Sequence, residues 1–228
     1  MFKTKNNIAL FIALLFHVSG ALGILFSPYK DWFVQHTSLN LLLMAALLMF
    51  TQPQKNSWFF LFFMLAFATG MITEIVGVNT GELFGSYQYG NLMGAKYKGV
   101  PWLIGLQWFV TVFCSGIIME KIHQWTIKKT AAVTATKLPS WVKGISLIVD
   151  GALMAVFFDY VMEPVAVKLG FWQWTNHEIP FYNYVCWFVI SAGLLAVFRI
   201  LKFNKTNHFA VHLFIIQLLF FLALRTVL

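Results

Sequence analysis

Residues 70–101 read GMITEIVGVNTGELFGSYQYGNLMGAKYKGVP and join the end of one apolar segment, through a glycine-rich loop, to the start of the next. In the first segment, small and polar residues have the i, i+3, i+4, i+7 spacing of one helix face: Gly70, Thr73, Glu74 and Gly77. A carboxylate at membrane depth costs roughly 2.5–3.5 kcal/mol, so it normally faces a cavity or a partner and indicates function. The alternative is a glycine packing face with one acid that reaches the membrane surface.

The composition around this stretch is that of an integral membrane protein. Of 228 residues, 60% are hydrophobic and 11% are charged, whereas soluble domains are nearer half apolar and a quarter charged. The net charge of +8 is typical of topology signals and contact with anionic lipid. No nucleic-acid-binding motif accompanies it, so the expected partner is the lipid bilayer and not a nucleic acid.

The pattern predicts an all-α membrane protein with a bundle of about seven transmembrane helices in a single polytopic domain, 1–228. Seven segments are apolar and long enough to span a bilayer: 8–26, 34–50, 58–78, 101–119, 143–165, 183–201 and 209–227. The basic, Thr- and Ala-rich residues 121–141 are predicted to be a linker that lies on lipid headgroups.

Basic residues predict the orientation of this bundle. With seven spans, 11 of the 16 Lys and Arg residues lie on the side of the N-terminus. The positive-inside rule therefore predicts a cytoplasmic N-terminus and an outer C-terminus. The expected location is a bacterial inner (cell) membrane.

Acidic residues gather on the other side. Six of the eight lie at or beyond the outer ends of their spans: Asp31, Glu74, Glu82, Asp159, Glu163 and Glu178. The positive-inside rule acts on Lys and Arg and does not require this. A shared functional site explains the clustering most simply.

The fifth span continues as DYVMEPVAVKLGFWQWTNHEIPFYNY over residues 159–184. Asp159 and Glu163 are i, i+4 and lie on one helix face, and Pro164 is expected to kink or end the helix and free a backbone carbonyl. Two carboxylates so close do not both ionise readily, so one is expected to hold a proton. That arrangement offers a general acid beside a general base, although two interfacial acids paired with Lys168 would show the same spacing.

Aromatic pairs alternate in both outer loops. Tyr87 and Tyr89 in one loop, and Trp172 and Trp174 in the other, each place two rings on one side of an extended segment. An interfacial aromatic belt is the simpler explanation for any single ring. As two pairs next to the acids, they suit a wall around a long apolar ligand or a transient cation. Trp108 and Asn183 are candidates to complete this wall, and Asn183 is also a candidate helix N-cap.

Metal and cofactor chemistry is not predicted. Only His208 and His212 show a ligand-like i, i+4 spacing, on the cytoplasmic edge away from the acids. The sequence has no Gly-rich phosphate loop and no dinucleotide fingerprint.

Two blocks of this sequence resemble the carotenoid biosynthesis family of membrane carotenoid hydratases. The first block, residues 74–108, carries E-x2-G-x2-TG-x2-FG-x-Y-x-Y followed by VP and W. The second block, residues 159–187, carries D-x3-EP, then W-x-W, then IP-x2-NY-x2-W. Both occur in order within a motif core of about 70–187, roughly half of the chain.

The resemblance implies a hydro-lyase, a carotenoid 1,2-hydratase. Such an enzyme adds water across the terminal C1,C2 double bond of an acyclic (ψ) carotenoid end, as in lycopene or γ-carotene, without metal, flavin or oxygen. Protonation of this alkene gives a tertiary cation, which requires an acid, an electron-rich wall and one positioned water. We expect Asp159 or Glu163 to donate the proton and Glu74 to be the base that orients water, with a membrane-dissolved carotenoid as substrate and other carotenoid biosynthesis enzymes as partners.

Two other functions stay open at this point. A carotenoid end-group cyclase shares the protonation step but captures the cation with an internal double bond. A membrane transporter or lipid-binding protein would use the outer acids to bind a cation. The second alternative predicts matched broken helices in two symmetric halves, and the sequence shows no such pairing.

Overall fold

A computed structural model describes residues 2–133 and 139–228, which form eight helices and four short strands. In chain order these elements are α1 (Phe2–Phe26), α2 (Lys30–Gln35), α3 (Thr37–Thr51), α4 (Ser57–Thr80), β1 (Tyr87–Tyr89), β2 (Lys96–Tyr97), β3 (Val100–Pro101), α5 (Trp102–Val133), α6 (Ser140–Lys168), β4 (Trp172–Trp174), α7 (Phe181–Ile200) and α8 (His208–Val227). The strands form two antiparallel pairs, β1 with β4 and β2 with β3.

The predicted all-α membrane class is confirmed, whereas the predicted second span is wrong. Six helices within the described ranges are long and apolar enough to cross a membrane: α1, α4, α5, α6, α7 and α8. Residues 34–50, predicted as one span, are divided at His36, which lies between α2 and α3. The 15 residues of α3 extend only about 22 Å, less than the roughly 30 Å of a bilayer core.

Although α3 is short, it runs from one end of the bundle to the other, so the direction of the long helices still alternates along the chain when α3 is counted with them. Its first residues, Thr37 and Ser38, line the same cavity as Glu74. Its last residue, Thr51, lies within 3.5 Å of Asn207, the N-cap of α8. We call the end of the bundle where α4 and α6 finish the site end, and the end where α4 begins the far end.

The two termini lie at opposite ends of the bundle. At the far end, the Lys5 ammonium lies 4.9 Å from the centre of the Phe50 ring. At the site end, Arg225 donates a hydrogen bond to the Tyr160 carbonyl. The helices therefore alternate as seven spans would, and the cytoplasmic location of the N-terminus stays a prediction.

Reporter fusions test this topology. We expect a reporter fused after Lys128, near the far end of α5, to show a cytoplasmic signal, and one fused after Leu228 to show an outer signal. A pair of signals from the same side would contradict the alternation of helices.

The predicted linker at 121–141 is wrong over its first part. Helix α5 does not stop near Met119 but continues to Val133, a total of 32 residues or about 48 Å, which exceeds the bilayer core. Residues 134–138 lie outside the described residues, and α6 begins at Ser140.

Pro164 neither ends α6 nor leaves a carbonyl without a partner. The helix continues to Lys168 with this proline inside it. Because proline has no N–H, the carbonyl four residues earlier loses its helical donor. That carbonyl belongs to Tyr160, and the Arg225 guanidinium donates to it at 2.6 Å. A residue at the end of α8 thus satisfies the backbone of α6 next to the predicted acids.

Helix α5 lies at the centre of the bundle and is buried along most of its length. It packs against α3, α4, α6, α7 and α8. Near the far end, six phenylalanine rings pack together, several of them edge to face: Phe59, Phe62, Phe109, Phe113, Phe198 and Phe203. In a bilayer, helices are held together by such close packing and not by the exclusion of water. Because this packing lies near the far end, the site end is free to form a cavity.

Candidate active site

Strands β1 and β4 form a two-stranded ribbon at the site end, which we call the aromatic ribbon (residues 87–89 and 172–174). Its antiparallel register pairs Tyr87 with Trp174 and Tyr89 with Trp172. Because side chains alternate along a strand, these four rings share one face of the ribbon. The remaining pair, Gln88 and Gln173, is exposed on the other face.

The tyrosine strand of the ribbon binds Glu74. The Tyr87 and Tyr89 hydroxyls donate to Glu74 Oε2 at 2.5 and 2.6 Å. Trp108 Nε1 on α5 donates to Glu74 Oε1 at 2.9 Å. Glu74 is only 5% exposed. Three donors around one buried carboxylate stabilise its ionised form.

The tryptophan strand of the ribbon binds Glu163. Trp172 Nε1 and Trp174 Nε1 both donate to Glu163 Oε2, at 2.9 and 3.0 Å. An indole N–H donates but cannot accept, so Glu163 Oε2 accepts from both rings, and these two hydrogen bonds favour the ionised carboxylate. Each strand of the ribbon therefore holds one carboxylate in an accepting state.

Asp159 is the carboxylate with the fewest partners. It is completely buried, and its Oδ2 accepts a hydrogen bond from Asn183 Nδ2 at 2.7 Å. Its Oδ1 is buried without a hydrogen-bond partner among the described residues. An unpaired charge in such a place is costly, and an oxygen that carries a proton fits it better than an unpaired anion.

All three carboxylates line one cavity between the helices. The enclosed space is about 90 Å³, room for several waters or for part of a larger ligand. Trp108 and Trp187 stack in its wall, with ring centres 4.0 Å apart. No described residue that lines the cavity is Lys or Arg, so the three carboxyl groups share the cavity with aromatic rings and without a permanent cation.

The glycine stripe of α4 makes room for these contacts. A Cβ on Gly70 would lie 2.6 Å from Trp108 carbons, and one on Gly77 would lie 2.9 Å from the Tyr87 hydroxyl oxygen. Trp108 and Tyr87, which come this close to the two glycines, are both donors to Glu74. The stripe that the sequence shows is therefore the face of α4 on which the Glu74 site is built.

The two ribbon tyrosines stay protonated over an unusually wide pH range. Burial raises the pKa of Tyr87 and that of Tyr89 well above the ordinary phenol value, and the negative charge of Glu74 raises both further. Both hydroxyls therefore stay protonated, and able to donate to Glu74, at pH values at which an ordinary phenol ionises.

This shift predicts an alkaline loss of stability. A phenol whose pKa is higher in the folded than in the unfolded state contributes stability that is complete below the unfolded value, about pH 10, and is lost as the pH rises above it. We expect the thermal unfolding temperature to fall above about pH 10, and to fall less steeply in the double variant Tyr87→Phe/Tyr89→Phe. Equal slopes for both proteins would contradict the assignment.

The structure brings all nine predicted site residues to this one cavity: Glu74, Tyr87, Tyr89, Trp108, Asp159, Glu163, Trp172, Trp174 and Asn183. Their catalytic and substrate-binding roles remain predictions. The alternative use of Asn183 as a helix N-cap is wrong, because Pro180 occupies that position and the Asn183 amide binds Asp159 instead.

Sequence reasoning missed several other polar residues that line the cavity. Polar residues on α1, α3, α5 and α8 also line it, namely His17, Thr37, Ser38, Asn40, Gln107 and Gln217. Their only signal in the sequence is a polar side chain within an apolar helix, which at membrane depth indicates a cavity. In residues 2–133 and 139–228, no group of three or more His, Cys, Asp or Glu side chains is arranged to hold a metal ion.

Comparison with known proteins identifies a family that this chain matches. Residues 35–228 match the family described as carotenoid biosynthesis protein. Bisanhydrobacterioruberin hydratase of Haloarcula japonica is 25% identical over 209 residues, which cover 86% of this chain and 64% of that protein. The chain thus spans slightly less than two thirds of this relative's length. No solved structure matches the chain.

Proposed function

We propose that this chain, which belongs to the carotenoid biosynthesis protein family, hydrates the terminal C1,C2 double bond of an acyclic carotenoid end. Lycopene and γ-carotene carry such an end. The observation that carries the proposal is a buried carboxyl group with a free oxygen, Asp159, next to two carboxylates whose donors fix them as acceptors. The hydratase named above, 25% identical to this chain, supports the same reaction type.

Asp159 is the proton donor in this proposal. Asp159 lines the cavity and its Oδ1 has no hydrogen-bond partner among the described residues; protonation of C2 from this oxygen leaves a tertiary cation at C1. Asn183 holds the other oxygen at 2.7 Å and fixes the direction of the acid. General acid catalysis by a positioned group contributes typically 10²–10⁴-fold, which makes Asp159 the largest single contributor.

Glu74 and Glu163 stabilise the cation. Five N–H and O–H donors hold these two carboxyl groups in place, so their ionised forms need no rearrangement when positive charge develops at C1. The aromatic faces around them add cation–π attraction. Three donors favour the ionised form of Glu74 and so reduce its basicity. We therefore assign Glu74 a fixed charge and not the predicted role of base.

The substrate dissolves in the same bilayer that holds the protein. Six apolar helices place this chain in a membrane, and the bacterial inner membrane is the location we propose. A carotenoid reaches the cavity laterally from the lipid, end first. Enzymes that make or further modify the same carotenoids are the partners to expect in that membrane.

Expression in a bacterial host that accumulates lycopene or γ-carotene tests the proposal. We expect a new, more polar carotenoid whose mass is greater by one water, absent from the empty-vector control. A product of unchanged mass and altered absorption spectrum would identify a cyclase. Unchanged carotenoid in the presence of inserted protein would contradict both enzyme activities.

A further inference from the structure

Two buried polar side chains line the cavity from helices that carry none of the three carboxylates. His17 on α1 and Gln217 on α8 are 5% and 6% exposed and line the same cavity as Asp159. Among the described residues, the Gln217 side chain forms no hydrogen bond, and the Oδ1 of Asn40 on α3, which lines the same cavity, is buried without a partner. Polar groups at this depth without partners are costly, and a ligand that forms hydrogen bonds would satisfy them.

The backbone of α1 fixes the tautomer of His17. Nδ1 lies 2.8 Å from the Ala13 carbonyl oxygen, which can only accept, so Nδ1 carries the hydrogen. In the neutral ring the lone pair is then on Nε2. The His17 ring meets Phe220 edge to face at 5.3 Å, and Phe220 also lines the cavity. Both contacts hold the ring in one orientation.

In the proposed reaction the three carboxyl groups already have roles, Asp159 as the acid and Glu74 and Glu163 as charges held by hydrogen-bond donors. The base that takes a proton from water is therefore expected among the other polar residues that line the cavity. An attacking water turns a lone pair toward C1 and needs acceptors for its two O–H groups. His17 Nε2, Gln217 Oε1 and Asn40 Oδ1 are acceptors of this kind, and a bound water typically needs two to four polar partners.

We propose that His17 and Gln217 form the water-binding subsite and that His17 Nε2 is the general base. This inference rests on the proposed hydration. Asp159 gives its proton to C2, the water oxygen bonds to C1, and the O–H bond that breaks transfers its proton to Nε2. The imidazolium then returns a proton to the Asp159 carboxylate through water in the cavity. Both groups are restored, and one water is consumed for each double bond.

Deuterium exchange separates this role from a structural one. Without the base, Asp159 still protonates the alkene, and the cation returns a proton, from C2 or from a methyl group on C1, to the Asp159 carboxylate instead of gaining water. In D2O we expect His17→Asn, which preserves the donor to Ala13, to hydrate about 100-fold more slowly yet to incorporate deuterium into recovered substrate. Gln217→Met, of similar length, should slow hydration about 10-fold, as expected for one lost hydrogen bond.

His212→Asn is the matched control, because His212 lies on α8 outside the cavity lining. We expect this variant to hydrate the substrate at the wild-type rate. The inference is overturned if His17→Asn hydrates at the wild-type rate. It is also overturned if that variant, inserted at the wild-type level, loses deuterium exchange together with hydration. A wild-type protein that forms no hydrated product would instead refute the proposed function itself.

Discussion

Replacement of Asp159 by asparagine is expected to reduce carotenoid hydration by about 1,000-fold, within the range for loss of a positioned general acid. Asparagine has the same shape and can still accept the Asn183 hydrogen bond through its carbonyl oxygen. It cannot give a proton to the alkene. Product formation, measured by chromatography and mass spectrometry on membranes that contain equal amounts of protein, checks the result.

Asp150→Asn is the matched control for this variant. Asp150 lies on the same helix, two and a half turns toward the far end, and accepts a hydrogen bond from Ser146 outside the cavity lining. We expect it to leave hydration unchanged. Near-native turnover by Asp159→Asn would show that another group supplies the proton.

The second large effect is expected at the two fixed anions. Glu74→Gln preserves its hydrogen bonds in one orientation: the amide oxygen accepts from Trp108, and the amide nitrogen donates to the tyrosine hydroxyls, which can also accept. Glu163→Gln can accept both tryptophan donors through its carbonyl oxygen. Each variant therefore folds and removes only the charge, and we expect hydration to fall about 100-fold in each, comparable to the loss of one preorganised electrostatic group.

Glu82→Gln tests whether any outer acid has the same effect. Glu82 is exposed, next to the end of α4, and does not line the cavity, so this variant should behave like wild type. If Glu74→Gln and Glu163→Gln also behaved like wild type, the fixed negative charges would have no part in stabilising the cation.

Much of the carboxylate side could be predicted because its signals are periodic. The i, i+4 spacing of Asp159 and Glu163 placed them on one face of a helix, and the alternation of tyrosines and tryptophans indicated extended segments. The structure confirms those segments as β1 and β4. Their pairing could not be read from the sequence, because Tyr87 and Trp174 are distant in the chain and antiparallel register depends on tertiary packing.

The contribution of α1 and α8 to the cavity could not be predicted for a physical reason. His17 and Gln217 are single polar residues in apolar helices, without a neighbour at helical spacing that marks a site. The same limitation affected the second predicted span, where hydropathy alone did not reveal the break at His36. The match to the family begins at residue 35, so it does not cover α1 or His17.

The most direct test of hydration is the source of the oxygen atom in the product. Purified protein in lipid vesicles that contain lycopene should be incubated in ¹⁸O-labelled water under ordinary oxygen, and in ordinary water under ¹⁸O-labelled oxygen. We predict a hydroxylated carotenoid that carries the label from water and none from oxygen gas, formed equally well without oxygen. Label from oxygen gas, or a product without added oxygen, would contradict the account.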